Sequence, residues 1–318
     1  MTMESPSSAD SAEARTFQAA QPETPVRATR GRASRMSPGR RIWAWLSLLR
    51  IRTTLSAPIL TAVSTRAARS NSSVFHGASL LFACVSAFLI ICFFQIINDV
   101  IDREQDAVHK PYRAIPSGAV SVRAALAAMV ASAIAGLVAA ALVSLLTLGL
   151  ATVILVLGAA YSLLLKGTVL IGNLSIAVTA ALLYLLDITS LRSLSSTIAI
   201  GFLIVLLFIL GDELFKTTED VEGDSVARIR TIATRYGYRV PAVGVVCCWI
   251  LLIAVFVASI GLNSDGPAFG LICLFMIGLP TGVAALISQR ASSVAISRAH
   301  IWWKIGWTPG LIALVFIK

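Results

Sequence analysis

The chain has 318 residues, of which 57% are hydrophobic and 13% charged, with a formal net charge of +10. A soluble domain carries about 25% charged residues. That deficit, with a mean hydropathy of +0.84, excludes a water-soluble enzyme and points to a polytopic membrane protein. Nucleic-acid binding is also a poor reading of the basic charge, which sits in short segments between apolar runs and suits anionic lipid headgroups.

Residues 1–40 are rich in Ser, Ala, Pro and Arg and nearly free of large apolar side chains. Such a segment buries too little surface to offset ordering, so a disordered basic tail is expected, with the membrane domain over 41–318. The tail has no apolar core of the kind a signal peptide needs, and Glu4, Asp10, Glu13 and Glu23 argue against a transit peptide.

A bilayer-spanning helix needs about 20 apolar residues. Nine stretches qualify: 45–64, 77–98, 122–143, 146–165, 168–189, 197–215, 240–261, 267–288 and 299–317. The first carries Arg50 and Arg52 near its start, placed for an interface or a cavity. With the N-terminus inside, 22 of the 26 Lys and Arg fall on the cytoplasmic side. The positive-inside rule therefore predicts a cytoplasmic N-terminus and a C-terminus opposite. Asn71, Ser72 and Ser73 form a glycosylation sequon in the first outside loop, which means little without a known host. The five cysteines, Cys84, Cys92, Cys247, Cys248 and Cys273, lie inside apolar runs without CxxC spacing, and the three histidines are scattered. These patterns suit packing rather than zinc or iron–sulfur binding.

The second span ends in NDVIDREQD, residues 98–106, with Asp99, Asp102 and Asp106 spaced i, i+3, i+7. If the helix continues, these carboxylates share one face, where like charges repel. A divalent cation makes the arrangement favourable, since Mg²⁺ takes one or two carboxylates and shares its other positions with phosphate oxygens. Arg103 and Glu104 are expected to point elsewhere. The sixth span ends in GDELFKTTEDVEGD, residues 211–224, with Asp212, Lys216 and Asp220 spaced i, i+4, and Asp220 and Asp224 likewise. The two clusters lie 121 residues apart, counted from Asp99 to Asp220, and each precedes a basic loop and a pair of spans. That spacing suggests a weak internal repeat, with two acidic helix ends facing one cavity. Lys110, Arg113, Lys216, Arg228 and Arg230 supply cations beside them. Metal and Lys/Arg clamps together stabilise a departing diphosphate.

NDVIDREQD resembles the NDxxDxxxD motif of the UbiA superfamily of intramembrane prenyltransferases. HKPYRAIPSG (109–118) is similar to that family's NKPxRPxPSG, and DVEGD (220–224) to its second motif, DxxxD. EDVEGDSVARIRTIATRYG resembles the branch that includes geranylgeranylglyceryl phosphate, homogentisate and chlorophyll prenyltransferases, and LIGNLSIAV (170–178) the start of the family's fifth helix. The resemblance covers about residues 41–318 and leaves out the tail. It implies nine helices around a central cavity, with both Asp-rich ends on the cytoplasmic side. Two Mg²⁺ ions would be held by Asn98, Asp99, Asp102 and Asp106 and by Asp220 and Asp224. Asp99, Asp102, Asp220 and Asp224 would be the catalytic acids. Asn98, Lys110, Arg113, Lys216 and Arg230 would bind the diphosphate. An isoprenyl diphosphate would ionise and pass its prenyl group to a hydrophobic aromatic or lipid acceptor, in the membrane and without an obligatory protein partner.

The chain departs from the pattern where Thr217 replaces an Asp, Ala114 a Pro, His109 an Asn and Arg228 a Gly, and where Ile51 stands in place of a Pro. A terpene cyclase on the same scaffold, ionising the diphosphate without an acceptor, is the alternative. A transporter is less consistent, because the acids sit at helix ends rather than mid-membrane.

Overall fold

The computed structural model of the chain describes residues 37–68, 77–187, 196–219, 221, 231–262, 266–290 and 292–307. Among these residues every regular element is a helix. Helix α1 (Pro38–Leu48) starts at Ser37, whose hydroxyl accepts from the Arg40 amide, with Pro at the first turn. The chain then breaks at Arg50, with φ of 45°, and resumes as α2 (Ile51–Thr54) and α3 (Ser56–Ala68). The expected first span over 45–64 is therefore not one continuous helix. Left-handed backbone is costly for an L-residue. Here the Thr54 hydroxyl donates to the Leu49 carbonyl at 2.6 Å, and the Arg50 side chain pairs with Asp99 at 2.7 Å.

Helix α4 (Gly77–Ile101) runs into α5 (Arg103–His109) with only Asp102 between them. The Asp102 amide still donates to Asn98 at 2.9 Å and the Asp106 amide to Asp102 at 2.8 Å, so the helical frame carries through. A twelve-residue turn, 110–121, leads to α6 (Val122–Val143) and then α7 (Leu145–Ala160), which begin at the capping hydroxyls of Ser121 and Ser144. A π-helical turn, Tyr161–Leu165, extends α7. There follow α8 (Ile171–Tyr184), α9 (Ser196–Glu219), α10 (Ile232–Tyr236), α11 (Arg239–Leu262) and α12 (Gly266–Cys273). A second π turn, Leu274–Gly278, joins α12 to α13 (Leu279–Ser288), and α14 (Ser293–Ile305) closes the described chain.

Among the described residues, six stretches are long and apolar enough to cross a bilayer: Gly77–Ile101, Val122–Val143, Leu145–Leu165, Ile198–Glu219, Arg239–Gly261 and Gly270–Ser288. The expected fifth span over 168–189 is realised as α8, only 14 residues long. The expected ninth, 299–317, begins earlier, in α14, and its end lies outside the described residues.

Packing between these helices relies on small side chains, as suits a medium in which lipid is as apolar as leucine. Helices α4 and α6 approach through buried Ala83, Ala87, Ala139 and Ala140. A Cβ added at Gly136 would already touch Ile90 at 3.4 Å. On the opposite face of α6, Leu126, Val130, Ile134, Val138 and Leu142 recur every four residues and are exposed, forming a stripe suited to lipid. The pairings repeat along the chain: α3 on α4, α4 on α6 and α6 on α7 are echoed by α8 on α9, α9 on α11 and α11 on α12. Asp187, at the end away from the acidic motifs, is buried and accepts from the Thr65 hydroxyl at 2.9 Å.

Candidate functional site

A cavity of about 570 Å³ opens between α4, α7, α8 and α9. Its wall along α4 and α5 is set by helical spacing: Ile91, Gln95, Asn98, Asp102, Asp106 and His109 all line it. At 1.5 Å per residue, this stripe runs from an apolar end to an acidic one. Helix α8 repeats the gradient with Leu183, Ala180 and Ile176 at one end and Asn173 and Gly172 at the other. The cavity thus has the form of a greasy channel with a charged mouth. Among the described residues, five cationic side chains (Arg50, Lys110, Arg113, Lys166 and Lys216) and three acids (Asp102, Asp106 and Glu213) line it, cations that suit an anionic headgroup.

Each acid of the first motif is held by a cation. Asp102 pairs with Lys166, whose ammonium also reaches the Asn98 side-chain oxygen at 3.3 Å. Asp106 accepts from Arg113 at 2.5 Å. Asp99 accepts from Arg50 at 2.7 Å and lies 3.4 Å from the same Arg113. Arg113 can bridge two buried carboxylates because the turn beneath it is pinned: Ala114, Ile115 and Val120 are buried against Leu48, Ile96 and Val100. Gly118 closes that turn at φ of 74°, a backbone suited to glycine.

The expected common face needs one adjustment. Asn98, Asp102 and Asp106, at i, i+4, i+8, form the stripe on the cavity wall, whereas Asp99 does not line it. A residue turns 100° around a helix from its neighbour, so Asp99 sits at the edge of the stripe and is taken up by its two arginines. Arg103 and Glu104 point away, exposed and paired with each other at 2.9 Å, as expected.

On the facing helix α9, Lys216 pairs with Asp212 at 2.7 Å and Glu213 at 2.6 Å. This confirms the shared face of Asp212 and Lys216. Asn173 donates to the Glu213 carbonyl at 3.0 Å and ties α8 to α9 at the mouth. Thr217, the departure from the motif, also lines the cavity. Lys110 lines the wall as expected. Asp220, Asp224, Arg228 and Arg230 lie outside the described residues.

Among the described residues, no three His, Cys, Asp or Glu side chains converge as a metal cluster. The donor chemistry nonetheless fits Mg²⁺, which prefers oxygen ligands and needs only one or two carboxylates. Asn98, Asp102 and Asp106 bring such oxygens to one wall, and the ammonium between Asn98 and Asp102 marks a place where positive charge is accommodated.

A family model, the UbiA prenyltransferase family, matches residues 56–305. The chain belongs to that family. Relatives include the digeranylgeranylglyceryl phosphate synthase of Saccharolobus solfataricus, 30% identical over 74% of this chain and 83% of that protein. The protein of the same name from Methanoregula boonei is 30% identical over 70% of this chain and 81% of its own length. A UbiA homologue from Archaeoglobus fulgidus, solved with DMAPP and Mg²⁺, is similar in fold, with a TM-score of 0.64 at 15% identity, covering 86% of this chain and 99% of that one. A solved structure described by the biosynthesis of digeranylgeranylglyceryl phosphate synthase in membranes gives a TM-score of 0.68 at 23% identity, covering 86% and 97%. At these identities the solved structures speak to the fold alone. With the six apolar helices, membership makes the chain an integral, multi-pass UbiA protein.

Lys166 lines the cavity beside Asp102 although, in the sequence, it stands only as a loop charge. Its position after an apolar run, just ahead of Gly167, is a weak signal. Arg50 had been noted as facing an interface or a cavity, and it lines the cavity.

Proposed function

We propose that this UbiA protein is a Mg²⁺-dependent prenyltransferase that takes an isoprenyl diphosphate and a membrane-borne hydroxyl acceptor. The observation that carries this reading is the cavity itself, apolar along Ile91, Phe94, Ala180 and Leu183 and charged along Asp102, Asp106, Arg113 and Lys166. It suits a molecule with a hydrocarbon tail and an anionic head. The Archaeoglobus fulgidus homologue solved with DMAPP and Mg²⁺, and another structure of it with GPP and Mg²⁺, support the donor class and the metal. The names of the curated relatives support a glyceryl phosphate lipid over an aromatic acceptor.

In this reading Asn98, Asp102 and Asp106 would hold one Mg²⁺, and Asp220 and Asp224, which lie outside the described residues, a second. Bound metal would neutralise charge developing on the departing diphosphate. Asp99 keeps Arg50 and Arg113 aimed at the mouth. Lys110, Arg113, Lys166, Lys216 and Arg230 grip the diphosphate oxygens as the allylic carbon–oxygen bond breaks and its electron pair leaves with pyrophosphate. Phe94, Ile91 and Leu183 keep water from the allylic cation. The acceptor oxygen then bonds to that carbon and gives up its proton. In this reading the catalytic unit is 41–318, after the tail, with the charged mouth and the N-terminus on the cytoplasmic side.

Product analysis tests the reading. Proteoliposomes with Mg²⁺ and geranylgeranyl diphosphate are assayed with and without geranylgeranylglyceryl phosphate. An ether-linked product appearing only with acceptor is expected. A cyclic hydrocarbon or alcohol formed from the donor alone would overturn the transferase reading in favour of a cyclase.

A further inference from the structure

Behind Lys216 lies a buried group that the diphosphate clamp itself does not use. His300, on α14, is 1% exposed although its neighbours Ile301 and Trp302 are exposed. Its Nε2 is 2.9 Å from an Asp212 oxygen, with hydrogen-bond geometry. Its Nδ1 is 2.9 Å from a Glu219 oxygen, but without the alignment of a hydrogen bond. The ring lies nearly parallel to Phe215, 5.2 Å between centroids at 16°. The other oxygen of Asp212 takes Lys216 at 2.7 Å. The contacts therefore run in series from α14 to the cavity: His300, Asp212, Lys216.

Each link constrains the next. Lysine has a long, flexible stem, and the Lys216 side chain is 46% exposed. Left alone, it would spend rotamer entropy to stay over the cavity. Asp212 anchors it from the preceding turn beside Glu213, whose carboxylate lies 2.6 Å from the same ammonium, but a buried carboxylate anchors only if its own second oxygen is satisfied. His300 satisfies it, and Phe215 fixes the plane of the imidazole. A buried His on an apolar helix needs such partners, yet packing alone would not require that its carboxylate partner also hold a cavity lysine.

We propose that His300 is a positioning residue for donor binding, acting through Asp212 to hold Lys216 toward the diphosphate. The inference rests on the reading of Lys216 as a diphosphate grip. It makes the last described helix part of the donor site although His300 does not line the cavity.

A double-mutant cycle tests it, using full-length protein in detergent with Mg²⁺. Two quantities are read: KM for geranylgeranyl diphosphate, and the Kd of inorganic pyrophosphate by calorimetry. His300→Phe keeps the stack on Phe215 and deletes the bond to Asp212. It should raise both quantities about tenfold, as expected for a charge-assisted contact, and leave the acceptor KM unchanged. His300→Gln places an amide nitrogen near the Nε2 position and should stay within about twofold of the original. In a Lys216→Met background, His300→Phe should add nothing. Asp212→Asn is the second route, expected to match His300→Phe and to be equally silent without Lys216, so the test survives a failure of His300→Phe to fold. If His300→Phe or Asp212→Asn costs as much in the Lys216→Met background as alone, or if neither changes donor binding, the positioning role is overturned. If Lys216→Met itself leaves pyrophosphate binding intact, the assignment of Lys216 to the diphosphate fails first.

Discussion

Gly158 sets the width of the apolar channel, and a single methyl group there tests it. A Cβ built on Gly158 would stand 2.0 Å from Phe94 Cε1, 2.3 Å from Cζ and 2.5 Å from Cδ1. Carbon atoms rest at about 3.5–4.0 Å, so the ring must retreat by about 1.5 Å. Phe94 is packed edge-on against Phe93, with centroids 5.7 Å apart, and it lines the cavity beside Gly158. The open direction is into the channel. Overpacking of this kind costs about 1–3 kcal/mol, and a reacting group misplaced by about 1 Å can lose 10²-fold in rate. Gly158→Ala should therefore cut turnover of geranylgeranyl diphosphate at least about tenfold while sparing geranyl diphosphate, whose tail need not pass the ring. Adding Phe94→Ala should return room and restore the longer donor. Steady-state turnover with the two donors reads the effect. If Gly158→Ala handles both donors as the original does, Phe94 does not bound the tail channel.

Lys166 shares its ammonium between Asp102 and Asn98, two oxygens assigned to the metal. Lys166→Met should lower the Mg²⁺ concentration that half-saturates binding, measured by calorimetry without substrate, and should destabilise the metal-free protein by about 2 kcal/mol, since Asp102, with its side chain 14% exposed, loses its charged partner. An unchanged Mg²⁺ affinity would place the ion elsewhere. Arg113 bridges two carboxylates, whereas Arg50 contacts one. Arg113→Ala should thus lower the thermal midpoint in detergent more than Arg50→Ala, by about 1–2 kcal/mol of stability. The reverse order would contradict the bridging role.

The charged mouth was legible in the sequence wherever function follows helical spacing. Of Asp99, Asp102 and Asp106, expected on one face, Asp102 and Asp106 do share the cavity wall because the helix frame continues through Asp102, while Asn98 rather than Asp99 completes the stripe. Asp212 and Lys216 could be paired because they are one turn apart. Residues whose roles depend on a departure from regular helix were harder. Arg50 reaches Asp99 from a left-handed break that no composition rule announces. Lys166 arrives at Asp102 after a π turn in which its amide bonds to Tyr161, five residues back, shifting the frame from the 3.6 period. His300 gave no signal, since its partner Asp212 lies 88 residues away and the pair exists only once α14 has packed on α9. The first span was read as continuous because its residues are apolar, and apolarity says nothing of the break at Arg50.

The central claim is that the two acidic motifs act together on one diphosphate, and pyrophosphate release measures it most directly. Membranes carrying the original chain, Asp102→Ala or Asp220→Ala are incubated with Mg²⁺, geranylgeranyl diphosphate and acceptor, and pyrophosphate is followed over time. Loss of at least about 10²-fold in each variant is predicted, since each removes a carboxylate that, in the proposed mechanism, would hold Mg²⁺ against the charge of the departing diphosphate. Release at the original rate in either variant would contradict the account.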